Sequence, residues 1–241
     1  MDADDQRRPT TRPEDERMGR RVFLGMMGAG AVGLVVGDGV LSVVGRASRP
    51  LTDALPDGVR AALPAPGGGW RIYTVNPPMP RFDPATWRLT IDGLVERPVT
   101  LTHAQLLALP RVEQTSDFYC VTGWSVLGVR WTGVRFADLL AAARPLPRAT
   151  ALRFVSAERP YVDMLTMKQA MVDDAMLAYG MDGRPMPRPH GAPARVVMPK
   201  MYGYKGVKWV ERIELVDRVE PGFWEQRGYD RDPWLNSEDA V

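Results

Sequence analysis

Beyond Trp70 the patterned segments of this chain are short, and glycine or proline closes nearly every one, with 23 Gly and 22 Pro spread over 241 residues. That punctuation excludes long helices and favours many short elements. WRLTIDG sets Trp87, Leu89 and Ile91 against Arg88, Thr90 and Asp92, the alternation of a half-buried strand closed by an Asp-Gly turn. LTHAQLLALP reads as a short helix with Thr102 as N-cap and Pro110 as stop. VEQTSDFYCV, TALRFVSAE, ARVVMP and VKWVERIELVD read as strands, while VRFADLLAAA and LTMKQAMV, the latter capped by Thr166, read as further short helices. Strands and helices are interspersed, but their links are too irregular for a doubly wound sheet. The predicted class is a mixed, irregular α+β domain without internal repeats.

The N-terminal part differs in composition. Residues 1–19 are polar, charged and proline-punctuated, too poor in apolar side chains to fold, and are expected to be disordered. Arg20 and Arg21 then directly precede Val22, Phe23 and Leu24 and a Gly/Ala-rich apolar run that reaches Val44, broken only by Asp38. The pattern resembles a twin-arginine export signal with Gly19 in place of the usual Ser or Thr. The run also matches the roughly 20 residues that span a bilayer. Residues 20–47 are therefore expected to be a twin-arginine-type signal or a membrane anchor, with cleavage and retention both open. Residues 48–69 read as a Pro/Gly-rich linker, 70–235 as the functional domain and 236–241 as a tail. The expected location is periplasmic or otherwise extracytoplasmic, membrane-associated if residues 22–44 are retained. Export of this kind moves folded proteins, which suits a cofactor inserted beforehand.

The formal net charge is +2 and the basic residues are dispersed, which argues against nucleic acid as a partner. Cys120 is the only cysteine, so no internal disulfide forms; a buried core thiol, a redox-reactive thiol and a metal-ligating thiolate all remain open. Two histidines and one cysteine make a zinc site built wholly from protein ligands a poor fit. P-loop, CxxC, HExxH and GxSxG patterns are all missing. Two segments stand out. Residues 117–140 surround Cys120 with aromatics and glycines. Residues 184–213 gather His190, Arg195, Lys200, Lys205 and Lys208 among Gly and Pro, including Gly203 and Gly206. Such a segment can wrap a phosphate-bearing heterocycle, because basic groups neutralise the phosphate and glycines let the backbone approach. A solvent-facing loop followed by a strand is the equally simple alternative.

From about Trp70 to Trp224 the chain resembles the molybdopterin-binding domain of the sulfite oxidase superfamily, in particular its single-domain exported branch that includes periplasmic methionine sulfoxide reductases. The matching stretches are WRLTIDGLVERPVTLTHAQLLALP, FYCVTGWSVLGVRWTGVRFADLL, FVSAE, PHGAPARVVMPKMYGYKGVKWVERIEL and PGFWEQRGY. The resemblance implies Mo-molybdopterin as cofactor, with Cys120 as the catalytic thiolate on molybdenum. It implies pterin or phosphate contacts from His190 and Arg195, a hydroxyl beside the cofactor from Ser156, and a phosphate grip from Gly206, Val207 and Lys208, with Lys205 as helper. Tyr73, Thr74 and Asn76 stand where the family uses residues before its first strand, although RIYTVNPPMPRFDP departs from the family's patterns there. Trp124 is expected to wall the substrate pocket.

The resemblance further implies an oxidoreductase that transfers an oxygen atom in a two-electron step, acting on a small-molecule or protein S-oxide, or on an N-oxide. The expected chain lacks the family's dimerisation and heme domains and needs an external electron-transfer partner, such as a membrane cytochrome or a quinone-linked subunit. Sulfite- and nitrate-converting members carry Asn-Arg-Arg soon after the cysteine, where this chain reads VTGWSV, which argues against an oxyanion substrate. Three alternatives stay open from sequence: sulfite-oxidase-like oxidation of a small anion, a non-catalytic exported pterin- or anion-binding module, and a structural envelope domain with Cys120 in its core.

Overall fold

The structure is a computed structural model that describes residues 69–240. The expected disordered N-terminus, the signal or anchor segment, the linker up to residue 68 and Val241 lie outside the described residues. The elements run β1 (Arg88–Gly93), β2 (Val99–Thr102), α1 (His103–Leu107), β3 (Val112–Cys120), β4 (Trp124–Arg135) and α2 (Phe136–Ala141). They continue β5 (Ala151–Ser156), β6 (Val162–Thr166), α3 (Met167–Ala170), β7 (Met176–Met181), β8 (Arg184–Pro185), β9 (Arg195–Val197) and β10 (Val210–Val216). Single 3₁₀ turns occupy Arg188–His190, Gly203–Lys205, Glu225–Arg227 and Ser237–Asp239. Short strands with three brief helices fit the α+β class.

Among the described residues the strands form two sheets. One has the order β2-β1-β10-β5-β6, and its β1/β10 pair is parallel, with Ile91 beside Ile213. The other runs β3-β4-β7-β8, with β9 also pairing β7. The first sheet follows from sequence alternation: Leu89 and Ile91 are fully buried while Arg88 faces water, so their apolar face seats on Leu152, Phe154, Ile213 and Leu215. Helices α1 and α2 add Leu106, Phe136, Leu139 and Leu140 to that core. Each such buried side chain contributes roughly 1.5–3 kcal/mol. A second cluster, Val129, Trp131, Met176, Ala178, Met181 and Val197, underlies the other sheet and carries Phe118 and Trp70 on its edge.

Caps set the helix starts. Thr102 accepts from the Gln105 N–H while the Gln105 side chain accepts from the Thr102 N–H, a reciprocal capping box, and Thr166 and Gln169 repeat it at α3. VRFADLLAAA is only partly helical: Val134 and Arg135 finish β4 by pairing with Leu177 and Met176, so the helix starts at Phe136. No helix among the described residues is long and apolar enough to cross a membrane.

Candidate cofactor and active site

The β3/β4 hairpin brings Cys120 to the surface of a cavity. Cys120 ends β3, pairs with Trp124 at the start of β4, and is followed by a tight turn in which the Gly123 N–H donates to the Cys120 carbonyl at 3.0 Å. Gly123 has φ of 84°, a left-handed backbone that glycine adopts without a steric penalty. The Cys120 Sγ and Thr122 Oγ1 lie 3.2 Å apart within that turn. Below the thiol, Phe118 stacks against Trp124 and Trp70, with ring centroids 5.6 and 4.9 Å away. Gly203 supports the Phe118 ring so closely that a Cβ there would fall 2.1 Å from it. A side chain at 203 would therefore displace the Phe118 ring.

The opposite wall is cationic. Arg195 opens β9 and is only 4% exposed; its guanidinium lies 5.4 Å from the ring centroids of both Phe118 and Trp131. Its hydrogen bonds go to the carbonyls of Val196, His190 and Gly206, all at 3.3–3.4 Å. Among the described residues no carboxylate pairs with it. Burial pulls its pKa down to about 10, countered in part by Tyr161. His190 is lowered to about 4 by burial and then by the charges of Arg195 and Lys208. Lys208 falls to about 8 through burial and Arg195, against the opposing pull of Glu158. Lys208 is aimed by an unusual backbone: Trp209 next to it has φ of 52°, a strained value for a bulky residue, and its indole N–H donates to the Arg188 carbonyl at 2.9 Å.

These groups meet around one open cavity of about 150 Å³. Residues 70–73 and Val75 form one wall, Cys120, Thr122 and Trp124 a second, and Arg195, Gly206 and Lys208 a third. Tyr161, Trp224 and Tyr229 complete its lining. Glu158 is the one acidic residue among those lining it. Toward Cys120 the rim is apolar, with Ile72, Tyr73 and Val121 all more than a third exposed.

Of the residues expected from sequence, Cys120, His190, Arg195, Gly206, Lys208, Tyr73 and Trp124 share this cavity. Others are placed elsewhere. Lys205 is not on the wall: its ammonium is buried between Asp163 at 2.6 Å and Glu225 at 2.8 Å, so its charge is already neutralised and cannot serve a phosphate. Ser156 is fully buried; its hydroxyl donates to the Lys208 carbonyl and accepts from the Glu158 N–H, so it sets its neighbours instead of facing the cavity. The amides of Gly206 and Val207 are spent within their own turn, on the carbonyls of Gly203 and Lys205, and the Val207 side chain is in the core. Asn76 donates to the Arg159 carbonyl, and Thr74 to the Glu158 carboxylate. Lys200 pairs with Asp239. Trp70, Glu158, Tyr161, Trp224 and Tyr229 were not anticipated. Only the aromatic density of the flanking segments hinted at some of them.

The residues present suit a metal–pterin group. A buried guanidinium without a carboxylate is costly unless an anion joins it. The Trp124 indole Nε1, also buried, has no hydrogen-bond partner. No cluster of three or more His, Cys, Asp or Glu able to hold a metal occurs among the described residues. The chain thus offers one soft sulfur, and the remaining donors would come from the cofactor's dithiolene.

Residues 76–224 match the family model described as oxidoreductase molybdopterin binding domain. The uncharacterized oxidoreductase YuiH of Bacillus subtilis is 36% identical over 156 residues, covering 64% of this chain and 78% of that protein. The protein-methionine-sulfoxide reductase catalytic subunit MsrP of Gluconobacter oxydans is 38% identical, covering 59% of this chain and 51% of that protein. Its counterpart in Ralstonia nicotianae is 31% identical, at 58% and 47% coverage. The chain spans about half the length of these two reductase subunits. Among solved structures, the sulfane dehydrogenase SoxCD from Paracoccus pantotrophus superposes with a TM-score of 0.54 and 29% identity, over 58% of this chain and 41% of that one.

Proposed function

The chain belongs to the oxidoreductase molybdopterin-binding domain family, an enzyme family that uses Mo-molybdopterin, and on that premise we propose that it takes an oxygen atom from a neutral S-oxide or N-oxide, or returns one to the corresponding sulfide or amine, with Cys120 as the protein ligand to molybdenum. The observation that carries this reading is that the lone thiol and the buried, carboxylate-free Arg195 open into one cavity. The bound group would supply a reversible two-electron change coupled to oxygen-atom exchange. The chain supplies position and charge. Arg195 and Lys208 would hold the anionic end of the cofactor, His190 would stay neutral beside it, and Cys120 would fix the metal end. Trp124, Trp224 and Tyr229 would exclude water from the reacting centre.

The apolar rim of Ile72, Tyr73 and Val121 supports a neutral substrate over a sulfite-like anion. The names of two relatives, protein-methionine-sulfoxide reductase catalytic subunits, point the same way. A second reading, oxidation of a small anion, draws on Arg71, which also lines the cavity. An external electron carrier completes the cycle in either case. Export through the Arg20-Arg21 signal, to an extracytoplasmic location with or without a retained anchor, fits a cofactor inserted before transport.

Metal and pterin analysis of protein from a molybdenum-replete host, followed by turnover with S-oxides, N-oxides and sulfite, tests the proposal. One molybdenum and one pterin per chain with S-oxide turnover is expected, and Cys120→Ala should abolish turnover. A Cys120→Ala protein with full activity and native metal content would end this account, and sulfite turnover lost in Arg71→Ala would select the second reading.

A further inference from the structure

Residues 70–76 have no regular secondary structure, so no strand ladder holds them, yet Trp70, Ile72, Tyr73 and Val75 line the cavity. Trp70 packs its ring on Phe118 and His190 and the Asn76 side chain donates to the Arg159 carbonyl, and between these two ends the segment is held by two side chains from the other walls. The Glu158 Oε1 accepts from the Thr74 hydroxyl, from the Val75 N–H at 2.9 Å and from the Asn76 N–H at 3.3 Å. The Lys208 ammonium donates to the Tyr73 carbonyl at 2.5 Å. Glu158 is itself 3% exposed and rigidly seated in the β5/β6 turn, where its N–H donates to Ser156 and its carbonyl accepts from the Tyr161 N–H, both at 2.9 Å.

We propose that Glu158 is a positioning residue that clasps residues 70–76 as a roof over the cavity and thereby retains the cofactor. The inference rests on the cofactor reading above and adds a role for a carboxylate that would otherwise be misplaced. Beside a site for an anion, an acidic side chain is unfavourable unless its charge is engaged; here one oxygen is spent on three donors of the roof. Lys208 contributes to the same closure, because its ammonium reaches both the roof and the cavity. Anion binding and roof position are thereby coupled through one cation.

The test uses the full cofactor-loaded protein and two variants, Glu158→Gln, which keeps an acceptor but loses the charge, and Thr74→Val, which removes one donor and leaves Glu158 intact. Hydrogen exchange of the Val75 and Asn76 amides should quicken at least fivefold in Glu158→Gln and more modestly in Thr74→Val. Pterin and molybdenum should leave both variants faster than the parent on prolonged dialysis, in the same order. Unchanged amide exchange in Glu158→Gln overturns the clasp. Faster exchange with undiminished cofactor retention overturns the retention role and leaves the cofactor reading standing. A parent protein that carries no pterin overturns the cofactor reading and this inference together.

Discussion

The Cys120 sulfur and the Thr122 hydroxyl face each other at 3.2 Å across a turn that Gly123 closes. With Cys120 as a metal-bound thiolate, only the hydroxyl can donate, and it places the positive end of an O–H dipole on the sulfur. Hydrogen bonds to a ligating sulfur withdraw charge from the metal and raise its reduction potential. Thr122→Val keeps the shape and removes the donor. The bound metal's midpoint potential should move negative in Thr122→Val and return in Thr122→Ser, with metal content unchanged. A redox titration reads this, and equal potentials in all three proteins would remove Thr122 from the site's tuning.

Arg195 yields an opposed pair of outcomes. Its buried charge lacks a carboxylate, so replacement by methionine should stabilise the cofactor-free protein, on the order of 1 kcal/mol. The same change removes a charge-assisted contact to the cofactor's anionic end and should weaken retention by about 10- to 100-fold. Thermal unfolding of the apo form and pterin content after purification measure the two effects. A purely structural arginine, satisfied by its three carbonyl contacts and two rings, would lower Tm in both forms.

Lys205 behaves differently. It is enclosed with Asp163 and Glu225, and each of the three side chains is at most 5% exposed. Lys205→Met strands two buried carboxylates and should cost about 3–5 kcal/mol of stability. Glu225→Gln leaves one lysine facing one carboxylate and should cost much less. Denaturant unfolding separates these. A phosphate-binding lysine would show the reverse pattern, small losses of stability with large losses of cofactor.

The same triad sets a pH dependence. Burial raises the Asp163 carboxyl from 3.8 to about 6, and the Lys205 charge only partly opposes it. The folded state therefore binds a proton that the unfolded chain releases between those two values. That contribution to stability grows as pH falls from about 6 toward 4 and is lost as pH rises through 6. Asp163→Asn should flatten the stability profile in that window, and a parallel profile for the variant would show that the carboxyl does not titrate there.

What could be read from the sequence was what leaves a local trace. Thr102 and Gln105 announce a helix start because the capping contact spans three residues. Leu89 and Ile91 announce a strand because one face of β1 meets water. By contrast β7 is buried on both faces except at Tyr179, so MLAYGM shows no alternation, and β4 mixes glycines and aromatics along twelve residues. Cys120 was legible by its solitude and its setting. Lys205 was misread because composition gives a lysine's charge but not its partners, and Asp163 lies 42 positions away. Glu158 and Trp70 left no signal at all, since their roles arise from contacts across the closed cavity.

Lys208 and His190 divide the work of the cationic wall by their proton affinities. His190, lowered to about 4, is neutral throughout the range from pH 6 to 9, so it can donate or accept a hydrogen bond there but adds no charge. Lys208, lowered to about 8, loses its proton within that range unless an anion is present to retain it. Inorganic sulfate, whose own charge is constant from pH 7 to 9, should therefore bind the cofactor-free protein more weakly as pH rises across that interval, by about tenfold for the loss of one charge-assisted hydrogen bond. Arg195 remains charged across this interval and should sustain the residual binding. Calorimetric titration of the parent and of Lys208→Met at both pH values checks the assignment: the variant should bind weakly with no step near pH 8, whereas a step that persists in Lys208→Met would assign the titration to another group.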